Sequence, residues 1–186
     1  MKGWHFTDTS KTLRYGDGRK VEAGKTLTFK GTPELCEKGL HACKRLIDAI
    51  QYAPGPYVWR VELSGKVLHG DDKSVATKRK AIWGYDATKV LREFSRKVAL
   101  ESVLKYWDEK LFGKFPAVTR QWLDTGDESL RSAARSAAES AARSAAWSAA
   151  ENAAWSTAWN AARSAQNKLL TKMILAARPK TKTKSS

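Results

Sequence analysis

From Ser132 to Gln166 the chain repeats a tetrad, most often Ser-Ala-Ala followed by one large residue, and no other feature limits its possible folds as strongly. Alanine is the best helix former, and the stretch contains neither Gly nor Pro. Thr125 and Glu128 have the spacing of a capping box, in which each side chain satisfies a free backbone N–H of the first turn. Pro179 disfavours helical backbone at Arg178. Together these predict one helix from about Gly126 to about Ala177, roughly 75 Å long. Four residues turn a helix by about 400°, so each tetrad's large residue lies about 40° further round than the last. The large residues therefore wind round the rod, and no fixed coiled-coil stripe results. Trp147, Trp155 and Trp159 fall within a sector of roughly 120°. Their burial is expected against the N-terminal part of the chain or in a homo-oligomer. A low-complexity spacer, helical by propensity alone, is the plainer alternative.

The rest of the chain reads as an α+β protein with a small, mostly antiparallel β-domain. Composition divides it into a β-rich domain over 1–86 with one short helix, a helical connector over 87–123, the Ala/Ser-rich helix over 124–178 and a disordered basic tail over 179–186. Strands are expected at 3–6, 12–15, 26–29 and 39–42, and a helix at 44–52. Residues 57–63 give the clearest strand: Tyr57, Trp59, Val61 and Leu63 alternate with Val58, Arg60 and Glu62. Residues 66–68 are expected to return as a hairpin across Ser64-Gly65, followed by a basic strand at 78–83. Asp86 caps a helix expected to run to about Phe112, with Gly113 as its stop. Its apolar face shifts by roughly 150° near Ala99, which predicts packing of the first half on the strands and of the second on the rod. A short helix is expected from Pro116 to Leu123.

Charge bears most directly on function. Thirty-four basic against 19 acidic residues give a net charge of +15, an excess that favours polyanionic partners, nucleic acid above all. The plainer reading is a solvated, soluble surface. No apolar run is long enough to span a bilayer, and residues 1–5 open without the apolar segment of a signal peptide, so a cytosolic protein is expected. Cys36 and Cys43 do not make a disulfide framework. Cys36, His41 and Cys43 lack the usual zinc spacing, which points to two small buried thiols and no metal. No nucleotide-binding glycine loop, nucleophile elbow or paired carboxylates are visible, so no cofactor is expected and binding without catalysis is favoured.

The strongest chemical signal is residues 73–97. Lys73, Lys78, Arg79, Lys80, Lys89, Arg92, Arg96 and Lys97 stand against only Asp86 and Glu93, with Trp83 and Tyr85 between the two basic clusters. A basic strand beside a basic helix face, with aromatics between, suits phosphates with adjacent stacking. It equally suits an acidic protein surface.

Two resemblances add expectations. Lys2-Gly3-Trp4, the segment Cys36-Glu37-Lys38-Gly39-Leu40-His41-Ala42-Cys43 and the strand Val61-Glu62-Leu63-Ser64-Gly65-Lys66-Val67 resemble an uncharacterised family encoded by bacteriophages and prophages. The resemblance covers roughly the first 100 residues. It implies an accessory phage protein acting in a bacterial cytoplasm on nucleic acid or a host nucleoprotein, as an inhibitor of host defence of the anti-CRISPR kind. Gly39-Leu40-His41, then Ala49 and Tyr52, then the strand from Tyr57, are similar in order to ADP-ribosyltransferase folds. That similarity implies an enzyme using His5 or His41 on a dinucleotide and Glu62 on the ribosyl cation, although Glu62 lacks the family's Gln/Glu-x-Glu setting.

Overall fold

The computed structural model describes residues 1–145 and 155–179. The fold is α+β, an antiparallel sheet with helices. Its contacts gather into two compact units, one of Met1–Leu91 with Ala165–Ser186, the other of Arg92–Ser164. This division differs from the one read off composition, because the last part of the Ala-rich region belongs with the strands.

The first unit is built on β1 (Lys2–Thr7), β2 (Thr26–Thr28), β3 (Leu40–Ala42), β4 (Tyr57–His69) and β5 (Ser74–Asp86), with α1 (Leu46–Ile50) after β3. The strand order is β1-β4-β5-β2, and β3 also pairs with β5. Trp4 and Cys43 exchange both backbone hydrogen bonds, at 2.7 and 2.9 Å, so the chain just past β3 returns to β1 and the sheet curls towards closure. The 66–68 segment does not turn back as expected. It continues β4 past a bulge, and Val67 pairs with Ala76. Gly65 lies at the bulge with φ +74°, and a Cβ there would overlap the Thr77 hydroxyl. A positive-φ glycine serves a bulge as well as a turn, which is why the sequence signal misleads. The 12–15 segment also departs from expectation: only a single bridge, Thr12 to Lys20, forms there.

Directly paired residues share a face of a sheet. On one face lie His5, Trp59 and Gly84, then Gly3, Val61 and Ala81. Here Trp59, Val61, Leu63, Ala76 and Ala81 pack with Ala42 and with Val21 of the covering loop. The Trp59 indole N–H donates to the Thr7 hydroxyl at 3.0 Å. A Cβ on Gly84 would lie 2.6 Å from Trp59 Cδ2, and the indole, 2 % exposed, has nowhere to go. Gly84→Ala is therefore expected to destabilise the protein by about 1–3 kcal/mol. A denaturation midpoint equal to that of the unaltered protein would contradict this account.

The other face carries Phe6, Val58 and Tyr85 at one end, and α1 and the last turns of α6 (Trp155–Ala176) cover that end. Leu46, Leu170 and Ile174 are fully buried. The Tyr85 hydroxyl donates to the Ile174 carbonyl at 2.8 Å, one of the carbonyls that a helix C-terminus leaves without an intrahelical donor.

The second unit takes up α2 (Thr88–Tyr106) from Arg92 onward, and that helix stops short of Phe112. The Asp108 carboxylate accepts the Lys110 amide and caps a separate α3 (Glu109–Phe112). A side-chain acceptor offered to the backbone competes with helix continuation, and here it wins. The capping box at Thr125 does not form either. The Thr125 hydroxyl donates back to the Gln121 carbonyl, and Gly126, at φ 71°, ends α4 (Ala117–Thr125). Asp127 caps a 3-10 turn that leads into α5 (Arg131–Ala145). The main partners of α5 are α4 and α3. Thr119 donates to the Ala134 carbonyl at 2.9 Å, a close approach that the small Ala134, 1 % exposed, permits. The expected continuity of the rod across 146–154 lies outside the described residues, as do Trp147, the side chains of Trp155 and Trp159 and the tail beyond Pro179.

Candidate nucleic-acid interface

Strand register assembles a basic, aromatic stripe on the face that α6 covers only in part. Ser64 pairs with Lys78; Glu62 pairs with Lys80 and Lys2; Arg60 pairs with Trp83 and Trp4. These three levels stand about 7 Å apart along the strands. Lys2, Lys78 and Lys80 are exposed, with Glu62 the one carboxylate among the residues so paired. Arg60 lies 4.6 Å over the Trp4 ring and donates to the Gly3 carbonyl at 3.2 Å. Trp4 meets Trp83 edge-on at 5.8 Å, and Trp83 stacks on Tyr85 at 6.2 Å. Arg178, exposed, sits 4.9 Å over Trp83. Both guanidiniums thus lie over indole faces, cations of a kind that can pair with phosphates and stack on bases.

Where the stripe runs under α6 there is a cleft of about 300 Å³, lined by Trp4, Lys44, Arg45, Leu46, Arg60, Asn167, Thr171 and Leu175. Asn167, Thr171 and Leu175 recur every four residues, so one helix stripe forms this wall while Leu170 and Ile174 beside it anchor α6. The Asn167 side-chain oxygen accepts the Ile47 amide at 3.1 Å, tying α6 to the start of α1.

The structure sorts the residues expected from the basic window. Lys78, Lys80 and Trp83 share this face. Tyr85 shares it but is covered, its hydroxyl engaged by α6, and burial pushes that hydroxyl up to about 12. Arg79 is a correction. Its neighbours on β5 face outward, so alternation turns it inward, where it is 3 % exposed and donates to the His41 carbonyl at 2.6 Å. Burial pulls its pKa down to about 10, and it still remains a cation at neutral pH. Arg96 is a second correction. A Cβ on Gly126 would strike its guanidinium, so Arg96 packs against the turn after α4, and its Nε is buried without a hydrogen-bond partner. Lys97 pairs with Glu93 at 2.6 Å, and Lys73 sits 4.3 Å over the Tyr52 ring. Lys89 and Arg92 are exposed on α2; Arg92, Arg96 and Lys97 belong to the second unit. Lys2, Trp4, Lys44, Arg45, Arg60 and Arg178 were not visible as site residues. A signal existed for three: Arg60 alternates with the apolar row of β4, and Lys2 and Trp4 are two apart on β1.

The residues of the enzyme alternative do not converge. His5 pairs with Trp59, and Glu62 is three residues further along β4, hence on the opposite face and exposed. His5 and His41 share the electrostatic environment of Arg79. Desolvation, with Arg79 and His41 adding, holds the His5 imidazole well below its usual range. Desolvation, with Lys73 and Arg79 adding, lowers His41. Cys43 is buried, and burial with nearby Asp72 and Asp48 pushes its thiol up to about 12, where it is inert. Cys36 is exposed. Among the described residues no group of three or more His, Cys, Asp or Glu is placed to hold a metal ion. No helix among them is long and apolar enough to cross a membrane.

Residues 1–93 match a family model described as a domain of unknown function, DUF7666. No curated protein and no solved structure matches the chain.

Proposed function

The chain belongs to the DUF7666 family, and we propose that it is a non-catalytic binding protein that engages single-stranded nucleic acid along the basic face of its sheet. The observation that carries this reading is the stripe itself. Lys2, Lys78, Lys80 and Arg60 occupy three successive levels of one rigid face, with two guanidinium–indole stacks at its end. Cations on a sheet track a phosphate backbone, and planar groups beside them take unstacked bases of any sequence. A duplex is a poorer fit, because the cations of this face, among the described residues, sit on strands and not on a helix shaped to enter a groove. The cellular setting that accords with this reading is a bacterial cytoplasm, with a phage-type accessory protein acting on free strands or on strands within a host nucleoprotein.

Four phosphate contacts predict a log–log salt slope of about −3 on single strands. Lys78→Gln with Lys80→Gln should flatten it by about 1.4 and leave the fold intact, since both side chains are exposed. Fluorescence anisotropy across a salt series measures this. Absence of binding at low salt would refute the reading. An unchanged slope in the double variant would move the interface off this face.

A further inference from the structure

The stripe does not run the length of the sheet. Beyond Arg60 and Trp83 the next level, Val58 and Tyr85, is closed by Ile174 of α6, so a strand lying on the face must end or leave there. At that point the cleft opens, and its polar lining is almost all donors. Lys44 makes no ion pair with a described residue, and Arg60 makes none either. Arg45 lies 3.6 Å from Asp48, whose side chain is 6 % exposed. Asn167 gives its oxygen to the Ile47 amide, which leaves its NH2 as the unused end, and Thr171 adds a hydroxyl. Leu175, 50 % exposed, supplies an apolar wall.

Three cations and an amide donor converge on a space at the small end of ligand clefts. A phosphate monoester carries close to two charges at neutral pH, an internal phosphodiester one. Resting on the single-strand reading above, we infer that the cleft binds a nucleotide bearing a phosphate monoester, the terminal residue of the bound strand. Its phosphate meets Lys44, Arg45 and Arg60, and its base lies against Leu175.

The test uses the full chain and decanucleotides labelled internally, carrying a 5′-phosphate, a 3′-phosphate or hydroxyls at both ends. One phosphorylated form should bind about tenfold tighter than the hydroxyl form. Lys44→Gln with Arg45→Gln should erase that ratio, and Lys78→Gln with Lys80→Gln should weaken all three oligonucleotides alike. Equal affinity for the three would overturn the end-binding site and leave the strand reading standing. A free 5′-mononucleotide that titrates the cleft, followed by NMR, when no oligonucleotide binds would keep the phosphate site and overturn the strand as its source. No binding of either probe would overturn both.

Discussion

Ile174→Ala is expected to cost about 2–5 kcal/mol, a large share of the stability of a domain this size. Ile174 is fully buried against the sheet, and its carbonyl is the acceptor for the Tyr85 hydroxyl. Truncation leaves a cavity that the pleated face cannot fill, because its strands are held in place by their pairing. The effect should exceed that of Leu175→Ala one position along, since Leu175 is 50 % exposed. Urea denaturation of both variants checks the order. The functional consequence follows from geometry: Asn167, Thr171 and Leu175 are carried by the helix that Leu170 and Ile174 dock. Loosening that helix should weaken binding of a phosphorylated end more than binding along Lys78 and Lys80. A variant of unchanged stability would mean that α6 is not anchored by this row.

Much of the sheet was legible in the sequence and rather little of the site. Tyr57, Trp59, Val61 and Leu63 announce β4 by strict alternation, a local pattern that one buried face imposes on any strand. The same rule turns Arg79 inward, yet Lys78-Arg79-Lys80 looks uniform as a charge run. Composition counts charges, and parity decides which of them reach water. For a different reason the break at Asp108 went unseen, and Gly126, expected as the start of the rod, ends α4 instead. Each rests on one side chain or one left-handed residue, so neither perturbs the surrounding periodicity. The cleft was not legible at all. It joins positions near 4, 45, 60 and 170, and only the return of α6 to the strands brings them together. In the sequence, Leu169, Leu170, Met173, Ile174 and Leu175 make that end of the Ala-rich region apolar, but nothing there says what they cover.

Acidification should destabilise the protein well above the range in which its carboxylates titrate. His5 and His41 both sit beside Arg79, and desolvation leads in lowering both. A histidine lowered in the folded state binds fewer protons there than in the unfolded chain, so stability rises with pH below the unfolded value of about 6.5 and levels off above it. As pH falls below 6.5, each histidine removes up to about 1.4 kcal/mol per pH unit until its own folded-state value is reached. His5, lowered well below the usual range, contributes the larger share of this loss. Asp8, Asp17, Asp86 and Asp127 are also lowered, chiefly by side-chain hydrogen bonds, but their stabilisation is lost only below about pH 4. The two windows therefore separate in a series of denaturation curves. His5→Gln should remove the larger part of the slope between pH 6.5 and 5, because the glutamine cannot charge beside Arg79. A flat stability profile from pH 7 to 5 in the unaltered protein would show that His5 takes up its proton without disturbing the fold, and that the buried Arg79 does not oppose it.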